Sequence, residues 1–281
     1  ERCIRDRYYL ISEEKRREMV KRSVAAITDI YQNSILKDSS RNSFMIKRME
    51  DLADRTVWAM GEQLKCGDFV PFVFEHKFNM EVGDGDRKQL MSGTIDRVDI
   101  CENGTDVYVR IIDYKTGKKD FNIVKTYYGI DIQLMVYMEA AMKLVAKMRP
   151  GKNVIPAGVF YYNISDPIVS ATTESAEEIE DKIKGELRLK GMVNSDKDIA
   201  EKMDNTEGTS LNIPVSRKAD GGFDSRRSKV MNTEQFNILG RFVDVRAIDT
   251  ADRIVGGDIR RSPYKDGQFS SCDLSLIHIS E

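Results

Sequence analysis

The chain has 281 residues, in which 44 Lys and Arg stand against 46 Asp and Glu for a formal charge of -2. That length suits one elaborated domain or two small ones, and the near balance excludes a whole-molecule basic field, so any contact with nucleic acid must be local. At 41% hydrophobic and 32% charged residues the composition is globular, neither disordered nor fibrous, and no apolar run approaches the roughly 18 residues of a membrane span.

Cys3, Cys66, Cys101 and Cys272 are widely scattered and none stands in a CxxC pair. Their spacing supports neither a disulfide framework nor a zinc site, and a reducing, cytoplasmic setting is expected. The sequence opens at Glu1 without the charged-then-apolar pattern of a signal peptide, so an internal or truncated piece of a longer chain is expected.

In chain order, the spacing of Val20, Val24, Ile27, Tyr31 and Ile35 predicts a helix over 13–35. After Asp38-Ser39-Ser40 a second helix is expected to about Leu64, with Ser39 or Ser40 as cap. Both read as a supporting layer. The period then changes: Phe72, Phe74, His76 and Phe78 alternate with Val73, Glu75 and Lys77, which predicts a largely buried strand. A polar loop, EVGDGDRKQ, leads to a strand over 90–100, a Glu102-Asn103-Gly104 turn and a third strand over 105–115; Asn-Gly between two such runs signals a hairpin.

A helix over 130–148 is apolar on several sides and is therefore expected to be buried. Residues 155–164 read as a further strand ended by Asp166-Pro167. Beyond Ser170 helices are expected over 177–189 and 233–254, with a polar, Gly-containing stretch over 194–224, mostly as cover and connection. This order of elements predicts an α/β layered fold rather than a bundle or barrel.

Alternation along the third strand puts Val107, Val109, Ile111, Asp113 and Lys115 on one face, so an apolar face ends in an acid and a base. Such a pair at the mouth of a strand can hold a hard cation and polarise a phosphate. In GTIDRVD the same rule places Thr94, Asp96 and Val98 on one face and Ile95 and Arg97 on the other. If the hairpin pairs as its turn suggests, Asp96 and Asp113 converge, and a divalent ion between them relieves their repulsion. Each segment alone has a plainer reading: solvated strand-end charges at Asp96 and Arg97, and a polar turn at DYKTG. Gln133 and Tyr137, four apart, form a polar stripe on an otherwise apolar helix; they suit bridging a backbone to a bound strand, or simply a helix-start glutamine and a satisfied core tyrosine.

GTIDRVD, IIDYKTGKK and QLMVY, in that order and spacing, resemble the RecB-like branch of the PD-(D/E)XK nucleases, and within it the AddB-type subunits of bacterial ATP-dependent helicase-nucleases. Phe69, Pro71, Glu75 and Phe78 also resemble a strand of that family, and residues 256–259 with 262–264 its closing segment.

The resemblance implies a restriction-endonuclease-like α/β core, a central mixed sheet flanked by helices with extra N- and C-terminal helices. It divides the chain into a helical segment over 1–68, the nuclease core over 69–170, a helical extension over 171–273, and an aberrant or truncated tail over 274–281. It further implies Asp96 and Asp113 as Mg²⁺ ligands with the Tyr114 carbonyl, Lys115 as catalytic lysine, Gln133 and Tyr137 as the element that places lysine and DNA, and Glu75 as an outer ligand. A strand-end glutamate paired with Lys or Arg is an equal reading of Glu75.

Two departures stand out. His76, inside a strand, does not match the family's metal-binding histidine, which is expected upstream of Glu1. Cys272 resembles the first of a trailing cysteine group that helps hold a 4Fe-4S cluster, yet LSLIHISE follows without further cysteines, so this chain as written cannot complete a four-thiolate cluster.

The function implied is Mg²⁺-dependent exonuclease or endonuclease cleavage of single-stranded DNA, within an AddAB-type complex that also engages double-stranded DNA during recombinational repair of breaks. An AddA-type helicase-nuclease subunit is the implied partner; no GxxxxGK[ST] phosphate loop occurs in this sequence. Membrane association is not expected. The alternatives are a catalytically silent nuclease-like scaffold and a stand-alone nuclease; retention of Asp96, Asp113 and Lys115 together disfavours the first, because unpaired buried carboxylates are costly.

Overall fold

The computed structural model describes residues 11–30, 40–82, 88–170 and 175–260, with the backbone alone at 89, 265–266 and 269–270. Helix α1 (Glu13–Ile30) buries Val20 and Val24 as expected, but the third inward position is Thr28 rather than Ile27, which is exposed. Helix α2 (Ser40–Lys65) runs beside it, joined by a two-pronged contact in which Arg16 Nε and Nη2 donate to the Asp54 carboxylate at 2.8 and 3.0 Å. The expected continuation of α1 to Ile35 and the Ser39 cap lie outside the described residues.

Strands β1 (Val70–Val82), β2 (Gln89–Asn103) and β3 (Asp106–Lys115) form an antiparallel meander. The hairpin turn falls one residue later than the sequence suggests. Asn103 pairs with Asp106, leaving Gly104 (φ 61°) and Thr105 as the two-residue connection, and glycine supplies the positive φ such tight turns need at the first central position. A short helix α3 (Ile123–Tyr127), capped by Asn122, and then α4 (Gln133–Met148) cross over to β4 (Asn153–Asn163), which lies parallel to β3.

The stretch beyond Ser170 departs from the expectation of helical cover. Besides helices α5 (Ala176–Glu186), α6 (Lys197–Met203) and α7 (Thr233–Val255), it supplies β5 (Lys190–Asn194) and β6 (Val230–Met231), which complete a six-stranded mixed sheet of order β1-β2-β3-β4-β5-β6. These strands are five and two residues long, too short for a period of two to register against their polar neighbours. Residues 265–266 and 269–270 form a small separate ribbon, β7 and β8. Two buried polar residues organise this region. Asn194 donates to the Pro156 carbonyl at 2.7 Å and to Thr233 Oγ1 at 2.8 Å, and Asp204 accepts from Thr206 N, Ser210 Oγ and Asn212 Nδ2.

The sheet divides two cores. One lies under α4 and α7 and contains Val107, Val109, Ile111, Leu134, Met135 and Phe236; the other lies under α2 and α6 and contains Phe69, Ile112, Phe160, Tyr162 and Ile199. The layers are therefore helix, sheet, helix, as the order of elements implied. Glycine at 191 permits the β4–β5 pairing, since a Cβ there would collide with the Val159 carbonyl oxygen. Gly191→Ala is expected to lower stability by about 2 kcal/mol or more, read as a reduced urea midpoint with an unchanged denaturant slope.

Candidate active site

The apolar face of β3 ends as alternation requires: Val107, Val109 and Ile111 are fully buried, and Asp113 follows at 2% exposure. Lys115, the next side chain on that face, brings its Nζ to 2.6 Å from Asp113 Oδ2, a buried oxygen outside hydrogen-bond geometry. The hairpin brings Asp96 to the same place, since Arg97 pairs with Ile112 one step earlier and Asp96 Oδ2 accepts from the Tyr114 backbone N–H at 2.7 Å. Burial, with the Asp96 charge adding to it, pushes the Asp113 carboxyl above its ordinary value despite Lys115.

The strict face assignment of GTIDRVD does not hold. Ile95 and Val98, three apart, both join the core under α4, so alternation breaks at Asp96 and Arg97. The strand opposite is irregular at the same level. Glu75, between the pairs Phe74 with Arg97 and His76 with Ile95, has φ 48°, the positive value that disfavours an L side chain. It stands exposed opposite Asp96. Among the described residues no group of three or more His, Cys, Asp and Glu side chains gathers as a metal cluster, so Glu75 does not close on the aspartate pair here.

On the other face of the sheet, Arg97 is not a solvated strand-end charge. Its Nε and Nη2 donate to Asp99 at 2.6 and 2.7 Å, and Arg110 Nε donates to the same carboxylate at 2.9 Å. All three are buried. Burial alone would push the Asp99 carboxyl up, but the two guanidiniums hold it below the ordinary range. Arg110 also stacks 4.9 Å over the Phe69 ring. Arg97 Nη1 reaches the Tyr114 hydroxyl at 3.4 Å, so the residue between Asp113 and Lys115 is held from behind while its N–H holds Asp96 in front.

A second cluster escaped the sequence reading. Tyr161, fully buried, lies opposite Asp113 on β4 and donates its hydroxyl to Asp131 Oδ1 at 2.9 Å. Lys119 Nζ is 3.0 Å from the same oxygen, and the ammonium groups of Lys115 and Lys119 lie 5.7 and 5.3 Å from the Tyr161 ring centre. Asp131 stands two positions before Gln133, and Lys119 four after Lys115; an acid just ahead of a buried amphipathic helix was the available signal. Gln133 Nε2 donates to the Tyr137 hydroxyl at 2.9 Å. Tyr137 packs edge-on against Phe78 at 5.8 Å, beside Gly93, where a Cβ would already lie 3.0 Å from Phe78. The two polar residues of α4 thus pair with each other rather than with the carboxylates.

The donors at the aspartate pair are all oxygen, one of them buried and raised in proton affinity, which suits a hard divalent cation rather than zinc. Among the described residues, Cys66 and Cys101 do not pair up as iron–sulfur ligands. Cys66 and Cys101 are free, burial pushes the Cys101 thiol up to about 11 and raises Cys66 too, and Cys3 and Cys272 lie outside the described residues.

The family model described as PD-(D/E)XK nuclease superfamily matches residues 5–275. The chain belongs to this superfamily. Its relatives include the AddB proteins, each named as one subunit of an ATP-dependent helicase/deoxyribonuclease. That of Clostridium botulinum strain Hall is 36% identical over 253 residues, covering 86% of this chain and 22% of the relative. Those of Thermoanaerobacter sp. strain X514 (34% over 249 residues; 85% and 21%) and Caldanaerobacter subterraneus subsp. tengcongensis (36% over 260 residues; 89% and 22%) are similar. The chain thus spans about a fifth of the length of the curated relatives it matches. Its mixed sheet between helix layers is the PD-(D/E)XK nuclease fold, and no described helix is long and apolar enough to cross a membrane.

Removing Asp99 would leave two buried guanidiniums without their acid. Asp99→Asn is expected to cost about 3–5 kcal/mol; Arg110→Met, which leaves a neutral Arg97–Asp99 pair, should cost clearly less in the same urea titration. Because the folded-state Asp99 carboxyl is depressed, its contribution is present above the unfolded carboxylate value of about 4 and is lost as pH falls toward the folded one. The stability gap between wild type and Asp99→Asn should therefore narrow on acidification below about pH 4.

Proposed function

We propose that this chain is the nuclease portion of an AddB-type protein, a metal-dependent phosphodiesterase that hydrolyses single-stranded DNA. The observation that carries this reading is the meeting of Asp96, in the middle of β2, with Asp113 and Lys115 at the end of β3. Asp96 and Asp113, with the Tyr114 carbonyl, would hold Mg²⁺, which when bound supplies Lewis-acid polarisation of the phosphate and a water of lowered pKa.

The chain's own residues do the rest. Asp113, 2.6 Å away, orients Lys115, and the ammonium stabilises the negative charge that grows on the non-bridging oxygens as water adds to phosphorus and the bridging P–O bond breaks. The attacking water gives up a proton to solvent, and the leaving oxygen takes one from it. Tyr114, fixed through Asp96 and Arg97, sets the separation of acid and base. Lys119, anchored on Asp131 and Tyr161, adds positive potential beside Lys115. No protein nucleophile is required. A helicase partner subunit is what the names of the relatives suggest; an AddA-type identity for it, engagement of double-stranded DNA and a place in recombinational repair rest on the sequence resemblance rather than on the site. The site favours this reading over a silent scaffold, because it buries the Asp113 carboxyl where burial opposes its ionisation, a cost that folding does not require.

Asp113→Asn is expected to reduce Mg²⁺-dependent degradation of a labelled single strand by ~10²–10³-fold or more. Full activity in that variant would remove the assigned site. Since the folded Asp113 carboxyl binds its proton more tightly than the unfolded one, stability falls as pH rises through the folded value; in EDTA at pH 8 the same variant should melt above wild type, as calorimetry would show. Lys115→Ala should lose cleavage by a similar factor while calorimetric Mg²⁺ binding persists; loss of binding instead would make Lys115 structural.

A further inference from the structure

The loop leaving Lys115 forms one wall of a second concavity, a groove of about 880 Å³ bounded by residues 116–120, by 163–166 at the end of β4, by the entry to β5 and by Lys229. The loop is pinned. Lys119 N–H donates to Asn163 Oδ1 and Asn163 Nδ2 donates to the Lys119 carbonyl, both at 3.0 Å, while Ile164 N–H donates to the Lys115 carbonyl at 2.8 Å. The groove therefore starts where the catalytic strand ends, on backbone that needs no rearrangement.

Lys118, Lys119, Arg188, Lys190 and Lys229 line it, with Arg48 at its rim. Three acids share the lining, Asp120, Asp166 and Glu186, against these six cations, and offset their charge only in part. Asp120 pairs with Lys229 and Asp166 faces Arg55 at 3.6 Å, while Lys119 is engaged by Asp131. Among the described residues Lys118, Arg188 and Lys190 have no carboxylate within ion-pair distance. Arg188 donates to the Ser210 carbonyl at 3.4 Å, and its Nε is buried without a hydrogen-bond partner. Lys190 is half-buried, and burial together with the neighbouring Arg188 pulls its ammonium below the ordinary lysine value. Cations crowded so that one disfavours another are stabilised by an anion between them.

We propose that this groove is a track for the phosphate backbone of a single nucleic-acid strand flanking the bond to be cut, with Lys118, Arg188 and Lys190 as its phosphate contacts. The proposal rests on the nuclease reading of the aspartate pair and deepens it. Several cations around a long concavity continuous with Lys115 suit successive phosphates of one strand, whereas an isolated phosphate would engage one or two of them. Without aromatic side chains among its lining residues, the groove would grip backbone rather than stack bases, and so would be indifferent to sequence.

The test uses the full chain carrying Asp113→Asn, so that binding is read without cleavage, and follows the anisotropy of a labelled 20-nucleotide oligo-dT across a salt series in Mg²⁺. Adding Lys118→Gln and Lys190→Gln should weaken binding about 10-fold or more and flatten the dependence of log affinity on log salt by roughly 0.7 per lost contact. The exposed single change Lys118→Glu, which leaves β5 untouched, should act in the same direction. Unchanged affinity and slope in both variants would overturn the proposal, as would polyglutamate of equal length competing as well as oligo-dT, or inorganic phosphate displacing it at equal phosphate concentration. If the charge variants lose binding while a chain with Asp113 intact cuts no DNA, the groove stands and the nuclease reading falls. The reverse pattern, cleavage with unaltered binding in the variants, removes the groove alone.

Discussion

The end of this sheet is organised around one carboxylate, Asp99, held between two guanidiniums where no water reaches. A buried ion cluster of this kind contributes little or nothing to net stability, because desolvation offsets most of the attraction. Its consequence is geometrical. Asp99 can satisfy Arg97 and Arg110 only if β2 and β3 hold the register that puts Asp99 opposite Arg110. A slip of β2 by one residue would send Arg97 and Asp99 to the other face and leave Arg110 buried without its acid.

That constraint is what the candidate active site inherits. Asp96 and Arg97 are neighbours on β2 but serve opposite faces, and Tyr114 joins them, its N–H on Asp96 and its hydroxyl beside Arg97. The charged side chains on the working face are thereby placed by hydrogen bonds on the hidden face, where solvent cannot loosen them. The Asp131 oxygen shared by Tyr161 and Lys119 does the same from the adjoining strand. Preorganisation of this sort lets a site keep like charges close before any substrate arrives.

Much of this was legible in the sequence. An apolar strand face ending in Asp113 and Lys115 needs only a period of two, and Asn-Gly marks the hairpin that brings Asp96 across. What stayed hidden is physical in each case. Arg97 has a plain reading as a solvated strand-end charge, and Asp99 and Arg110 draw no notice, because burial of an ion is visible only once its partner is placed. Lys119 and Asp131 lie on the connections either side of α3 and Tyr161 on β4, and they meet only through the parallel pairing of β3 with β4. Strands β5 and β6 were missed because their place in the sheet is set by neighbours, Gly191 and Asn194 among them, and not by their own pattern. The broken alternation at Asp96 was also beyond a strict period-two rule, since it depends on the strand opposite.

That irregularity has a bearing on assembly. Strand β1 is an outer margin of the sheet, and thirteen residues of straight, unpaired margin would invite a second polypeptide to zip on by backbone pairing. A register shift near Pro71 and the left-handed turn of the chain at Glu75 spoil that template at two points. Backbone zipping of a neighbouring chain along this margin, beside the β2 segment that carries Asp96, is thereby disfavoured.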